Sequence, residues 1–355
     1  MEALCLYNSA LLFSQAGMWS WIKGSDTVNP KVNYGVQGIE AVSNTPAGLV
    51  EPCAWTDTSG NFWLFGGSQN NGLCYADLWK FNPVINNWTW VKGPGIANDT
   101  GVFGIRGQSA ITNNPPSRAA GASWIDKNGN LWLYSGLNYE LGDMWEYNIA
   151  NNMWTWMQGP DSIVSYPPYC YPFYGTLGVE SPENTPGTRV RTATWVDKDG
   201  NLWLYGGSGY ELSGDLWRYN TLTNYWTWMG GTDTLNILPR YGTQGIPASG
   251  NTPGCRDASI TWTDAFGNFW LYGGFDANGA FNDMWEYNPI TKEWAWMAGT
   301  NSYNSLGNYG VQCESDTGLE SSGRVFGCTW KDKCGNFWLC GGTDGDLTND
   351  LWNFN

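Results

Sequence analysis

The chain has 355 residues, with 25 Trp, 47 Gly, 9 Cys and no His. Its 17 Lys and Arg face 32 Asp and Glu, a formal charge of -15 that argues against nucleic-acid binding through phosphate contacts. Aromatic content of 16% excludes a disordered chain, and the missing His excludes Ser-His-Asp and Cys-His catalysis, His-ligated metals and a His pH switch.

No apolar run reaches the roughly 18 to 20 residues that span a bilayer, so no membrane span is expected. Residues 1–17 read either as a cleavable signal peptide or as an N-terminal arm. The run from Ala3 to Phe13 leads to Ser14-Gln15-Ala16, a small-x-small ending, while the charged start carries Glu2 and no Lys or Arg. Trp19-Ser20-Trp21 follows as an isolated strand.

Beyond it one unit recurs five times, around 49–93, 118–159, 189–231, 256–299, and 324–355 completed by 18–24. Each unit offers a first strand with a Trp (55, 124, 195, 262 and 330) and a hairpin turn of the type Asp126-Lys-Asn-Gly129-Asn130. A second strand of the type Leu131 to Tyr134 comes next. The third begins with Asp-Leu/Met-Trp, at Asp77, Asp143, Asp215, Asp283 and Asp350. The fourth carries Trp-x-Trp, at 88/90, 154/156, 226/228 and 294/296, with both indoles on one face by the period-2 rule. These aromatic and β-branched runs are bounded by Gly, Asn and Asp, as strands are. Four-stranded units repeated radially predict an all-β, five-bladed β-propeller. The last unit lacks a fourth strand, which residues 18–24 supply; that N-terminal strand completes the C-terminal blade and covers an exposed edge.

The Gly-Gly after the second strand (Gly66-Gly67, Gly206-Gly207, Gly273-Gly274, Gly341-Gly342), followed by spaced aromatic and Trp positions, resembles the kelch family. The likeness is to kelch repeats of the galactose-oxidase-central-domain type, found in secreted and surface proteins. Residues 18–355 then form one kelch-type propeller. Three features depart from the family, the first being that five blades are fewer than the six or seven common among kelch propellers. The spacing of first-strand Trp residues runs from 67 (Trp195 to Trp262) to 71 (Trp124 to Trp195), against about 50 for a kelch repeat. Unit two also has Ser135-Gly136 in place of Gly-Gly. The copper chemistry of galactose oxidase does not carry over, because its site uses His ligands.

Where the copies differ, function is sought. Four linkers between blades span 34 residues from Trp to Trp, and the one from Trp156 to Trp195 spans 39. Its surplus lies near Tyr166, Tyr169, Tyr171 and Tyr174, a Pro/Tyr-rich loop suited to contacting a protein or stacking on a sugar. All linkers share aromatic-Gly-x-x-Gly or a near copy, expected to pack over one face of the ring. Six residues before the first-strand Trp stand Arg118, Arg189, Arg256 and Arg324, with Leu49 in unit one. They either pair with a repeated Asp, stapling the blades, or ring the channel mouth as an anion site. The acids outside the repeat pattern are Glu40, Glu51, Glu180, Glu183, Asp257 and Glu314. The Asp-x-x-Gly-Asn turns lack the bidentate Glu of a Ca²⁺ loop and read as hairpins.

None of the nine Cys occurs in all five copies, and the hairpin register sets Cys328 opposite Cys340, a candidate disulfide. Asn87-Trp-Thr89 and Asn98-Asp-Thr100 are glycosylation sequons. Together with Cys parity these point to a secreted or cell-surface protein. No nucleophile-base pair, metal site or cofactor site is legible. The sequence therefore favours a non-enzymatic binding or scaffold module, recognising protein or glycan through its inter-blade loops, with homo-assembly as a variant. The other reading is a carbohydrate-active enzyme, which needs two of the unrepeated acids to meet at the channel mouth.

Overall fold

A computed structural model describes residues 21–139, 141–161, 171–343 and 346–355. It is all-β. Blade 1 holds β1 (Cys53–Thr56), β2 (Phe62–Phe65), β3 (Leu78–Asn82) and β4 (Asn87–Lys92). Blade 2 holds β5 (Ala122–Ile125), β6 (Leu131–Tyr134), β7 (Met144–Asn148) and β8 (Met153–Gln158). Blade 3 holds β9 (Ala193–Val196), β10 (Leu202–Tyr205), β11 (Gly214–Asn220) and β12 (Tyr225–Thr232). Blade 4 holds β13 (Ile260–Thr263), β14 (Phe269–Tyr272), the short ribbon β15 (Phe275–Asp276) and β16 (Gly279–Ala280), then β17 (Met284–Asn288) and β18 (Glu293–Ala298). Blade 5 shows β19 (Cys328–Lys331), β20 (Phe337–Thr343) and β21 (Leu347–Phe354). Each sheet is an antiparallel meander, and the five form a five-bladed propeller.

The repeated residues explain the repeated geometry. Asp126 Oδ1 accepts the backbone N–H groups of Asn128 and Asn130, while its Oδ2 accepts the Trp132 indole N–H at 3.0 Å. The same Asp closes the other four hairpins, at Asp57, Asp197, Asp264 and Asp332. One side chain thus shapes the turn and fixes a tryptophan six residues on. The facing indoles pair in register, Trp124 with Trp132 and Trp195 with Trp203.

The Gly-Gly steps serve the joints between blades. Gly67 donates to the Arg118 carbonyl of blade 2, Gly207 to Arg256 and Gly274 to Arg324. A side chain at Gly66 (φ 68°) would collide with that carbonyl, so a residue without Cβ is required. Unit two departs because Ser135 does separate work: its hydroxyl accepts the Arg189 backbone N–H at 3.0 Å.

Indoles carry the inner ring. Trp55 donates to the Trp124 carbonyl at 2.8 Å, Trp124 to Trp203, Trp195 to Trp262, and Trp262 to Trp330. Between blades the core is aromatic: Phe65 meets Trp154 edge-on at 5.3 Å, Tyr134 meets Trp226 at 5.2 Å, and Tyr205 meets Trp294 at 5.3 Å. Such edge-to-face pairs add about 0.5–1.5 kcal/mol each beyond area burial.

The linkers do not lie over one face of the ring, as expected from sequence. The four linkers into blades 1 to 4 each wrap the outer edge of the blade they lead into. Gly38, Gly107, Gly178 and Gly245 donate to Trp90, Trp156, Trp228 and Trp296 on the outermost strands, at 2.7–2.8 Å. Buried Asn44, Asn113, Asn184 and Asn251 bond the carbonyls of Trp88, Trp154, Trp226 and Trp294. The linker therefore covers the unpaired edge that each outer strand would otherwise expose.

The expected closing strand falls partly outside the described residues, which begin at Trp21. Trp21 is 71% exposed and in no strand, and the described part of blade 5 has three strands. Two contacts nevertheless match those of a fourth strand. Trp21 donates to the Lys23 carbonyl as Trp156 does to Gln158. Lys23 Nζ donates to Val42 as Lys92 Nζ does to Ile111, one blade on. Among the described residues no indole bond joins Trp330 to blade 1, and Trp330 is 45% exposed.

Candidate functional site: the channel mouth

The four repeated arginines are staples. Arg118 grips Asp143 through two 2.7 Å bonds, and its Nη1 also donates to the Ser135 carbonyl. Arg189 holds Asp215 at 2.7 Å, Arg256 holds Asp283 at 2.6 Å, and Arg324 holds Asp350 at 2.5 Å. The four guanidinium side chains are 0–4% exposed, so they do not ring the mouth as an anion site. The carboxylates also accept the next indole but one, as Asp143 does from Trp145 at 2.7 Å. Burial alone would raise the Asp350 pKa; the bonds from Arg324, Trp352 and Tyr309 outweigh it and hold the carboxyl well below the usual range.

Blade 1 differs because Leu49 fills the arginine slot. Asp77, 3% exposed, accepts from the Tyr34 hydroxyl at 2.6 Å and the Gly95 N–H at 2.9 Å. Burial pushes its pKa up, the opposite of Asp350. A cavity of about 10 Å³, room for one water, lies beside it between Leu49, Tyr34, Tyr75 and Trp79.

Of the tyrosine loop, Tyr166 and Tyr169 lie outside the described residues. Tyr171 is 48% exposed and faces Tyr210 at 6.1 Å. Tyr174 is structural: it stacks on Trp217 at 5.2 Å and donates to Asp215 at 3.0 Å, as Tyr241 does to Asp283. Cys328 and Cys340 do face each other in register, but as free thiols, so the expected bridge is not formed in this structure. Burial pushes the Cys53 thiol up to about 12. Asn98 is exposed, yet its amide oxygen already accepts the Cys74 N–H at 3.0 Å; Asn87 opens β4 half-buried.

The residues that converge lie four and five places before each first-strand Trp. The first set is Glu51, Ala120, Arg191, Ala258 and Phe326, one per blade. All five take left-handed φ between 51° and 59°. Ala120 donates its N–H to the Glu51 carbonyl, Arg191 to Ala120, and Ala258 to Arg191, at 2.9–3.0 Å. This head-to-tail chain of bonds rims the channel at the end where the linkers enter the inner strands. Below it, strand alternation sets Ala54, Ser123, Thr194, Thr261 and Thr329 in one layer of mostly hydroxyl side chains.

Across this rim Arg191 of blade 3 reaches Glu51 of blade 1, Nε to Oε1 at 2.6 Å and Nη2 to Oε2 at 3.3 Å. Its guanidinium also lies 5.4 Å from the Phe326 ring centre of blade 5. The first, third and fifth blades therefore meet at one cation. Asp257 stands one place earlier, where the sibling blades carry Val50, Ala119, Val190 and Val325. It is 3% exposed, bonds the Ser208 hydroxyl, and keeps one oxygen, Oδ1, that no protein donor reaches. Burial is the main cause of a pKa pushed up to about 6; Arg191 pulls it down and Glu51 pushes it further up.

Two of the unrepeated acids, Glu51 and Asp257, thus stand within electrostatic reach of each other. Arg191 and Phe326 were not singled out from sequence, though aligning the position four before each Trp shows both as the odd members of their set. No protein-family model matches the chain, and no match is found among curated proteins. No helix of the described residues is long and apolar enough to cross a membrane.

Proposed function

We propose that this propeller is a non-enzymatic binding module that recognises protein or glycan on the face bearing the channel mouth and inter-blade loops, within a secreted or surface-exposed, kelch-like protein. One observation carries the reading. A fold that repeats its structural residues five times breaks the pattern at its axis with a charged cluster that the sibling positions show is not needed for a blade. Ala120 and Ala258 fill the Glu51 and Arg191 position, and Val190 fills that of Asp257. Charged residues that depart from the repeat and converge across the rim fit ligand contact better than packing.

Asp257 also supports a second reading. A buried acid raised toward neutrality, within electrostatic reach of Glu51, has the character of a glycosidase acid-base pair. Arg191 argues against it by engaging Glu51 on both oxygens, leaving no free nucleophile or base. Arrays of glycans and peptides probed with the protein and with Arg191→Ala decide between the two. The binding reading expects array signals that weaken at least about tenfold in the variant, with no bond cleavage, as for loss of a charged contact. Released sugar that disappears with Asp257→Asn supports the enzyme instead. Array signals unchanged in Arg191→Ala contradict a contact at the mouth.

A further inference from the structure

Blade 1 keeps the acceptors of the staple and has no arginine to meet them. In its siblings one guanidinium answers a carboxylate and two carbonyls. Arg189 Nη1 donates to Asp215 and to the Gly206 carbonyl at 3.1 Å, and its Nη2 to Asp215 and the Pro186 carbonyl. Arg256 repeats the set on Asp283, Gly273 and Pro253. Blade 1 carries Asp77, Gly66 and Pro46 at the same places of its repeat, while Leu49 takes the arginine position. We propose that a monovalent cation of about the size of a water molecule, potassium or ammonium, binds beside Asp77 in place of that guanidinium. The site is independent of whatever the channel mouth binds.

A cavity of about 10 Å³ lies at this spot, lined by Tyr34, Leu49, Gly66, Tyr75, Asp77 and Trp79. It has room for one water, hence for an ion of that size. Asp77 is 3% exposed and misses more than the guanidinium. Trp145, Trp217, Trp285 and Trp352 each donate to the carboxylate two places before them. Asp77 accepts instead from Tyr34 and the Gly95 N–H, and the Trp79 indole is not among its donors. The Gly66 carbonyl accepts no hydrogen bond from any described residue, whereas the Gly206, Gly273 and Gly341 carbonyls each take one from arginine. Tyr75 supplies an aromatic wall. It stands two places before Asp77, as Phe281 stands before Asp283, and the Arg256 guanidinium lies 3.9 Å from the Phe281 ring centre. A cation here meets a carboxylate, a carbonyl and a ring, the groups that hold arginine in blade 4.

Charge and size narrow the ion. One carboxylate balances one positive charge, and calcium takes roughly six to eight oxygen ligands, more than this cavity offers. An alkylammonium or a guanidinium exceeds the space of one water. A water molecule fits as well, but it leaves the buried charge unpaired. Leu49 and Tyr75 are only half-buried, so an ion reaches the seat from solvent.

The test is the melting temperature of the full chain, at one ionic strength, in potassium, ammonium, sodium, calcium and tetramethylammonium chlorides. Potassium and ammonium at about 0.1 M should raise it by about 2–4 °C over tetramethylammonium, which is too large for the cavity. Asp77→Asn, which removes the charge, and Leu49→Arg, which brings a guanidinium to the seat, should each abolish the difference. Equal melting in all the salts assigns the cavity to water and overturns the proposal. A difference that survives in both variants overturns it too, since the ion then lies elsewhere. Stabilisation by calcium above potassium that Asp77→Asn removes contradicts the monovalent assignment. If neither variant folds, crystals soaked in thallium(I), a substitute for potassium, decide by anomalous scattering: a peak beside Asp77 supports the site, and its absence overturns it.

Discussion

Asp257 shows how much a single departure from a repeat can mean. The ordinary Asp pKa of 3.8 is pushed up to about 6 in the folded protein, so the folded state disfavours the ionised form. For an acid with a raised folded pKa, stability falls as pH rises from about 4 to about 6, and the loss persists above that window. Two pH units correspond to at most about 3 kcal/mol. Asp257→Val, the residue of three sibling blades, should therefore raise stability by about 1–3 kcal/mol at pH 7 and change it little at pH 4, by urea denaturation. A variant less stable at pH 7 would mean that Asp257 holds the rim together. Asp257 and Glu51 were legible as unrepeated acids. Arg191 and Phe326 were not, because the pair Glu51–Arg191 is 140 residues apart in sequence and only the curvature of the ring brings it together. Arg191 also stands two residues from the repeated Arg189, which masks it as part of the pattern.

The staple of Arg, Asp and Trp recurs in four of the five blades, between the segment leading into each of them and its third strand. Its parts were legible, since Arg and Asp recur at fixed spacing, and pairing was one of two roles open to them. The exception tests the logic. In blade 1 Asp77 is buried without a guanidinium, and its pKa is raised. Leu49→Arg should build the fifth staple, raise stability at neutral pH by about 1–3 kcal/mol, and reverse the Asp77 shift so that acid now destabilises rather than relieves the blade. Thermal melts from pH 3 to pH 7 check both points; an arginine that lowers the melting temperature throughout would show that the Leu49 slot cannot admit it. The linkers were misread because their partners are distant. The four that lead into blades 1 to 4 carry an Asn whose amide bonds an outer-strand Trp carbonyl, Asn113 to Trp154 for example, and that repeated Asn was the signal available.

At the scale of the molecule, the count of blades and the strand order followed from 25 tryptophans in a fixed period, because indoles both pair across hairpins and bond the next blade. The sequence said less about the last joint. Trp21 and Lys23 keep the contacts of a fourth strand, yet Trp330 and β21 are more exposed than their counterparts in the other blades. Four joints are aromatic and apolar, and their strength lets the axis carry residues chosen for something other than packing. That trade between stability and function is common where a site is built into a sturdy frame. The central claim is that Glu51, Arg191 and Asp257 are present for a ligand and not for the ring. The measurement that tests it most directly is the unfolding free energy at pH 7 of a variant carrying Glu51→Ala, Arg191→Ala and Asp257→Val, each a residue that sibling blades already use. The account predicts a protein at least as stable as the original, and up to about 3 kcal/mol more so, that no longer binds at the mouth. A loss of about 3 kcal/mol or more would show that the cluster is a brace across the channel, and would contradict the claim.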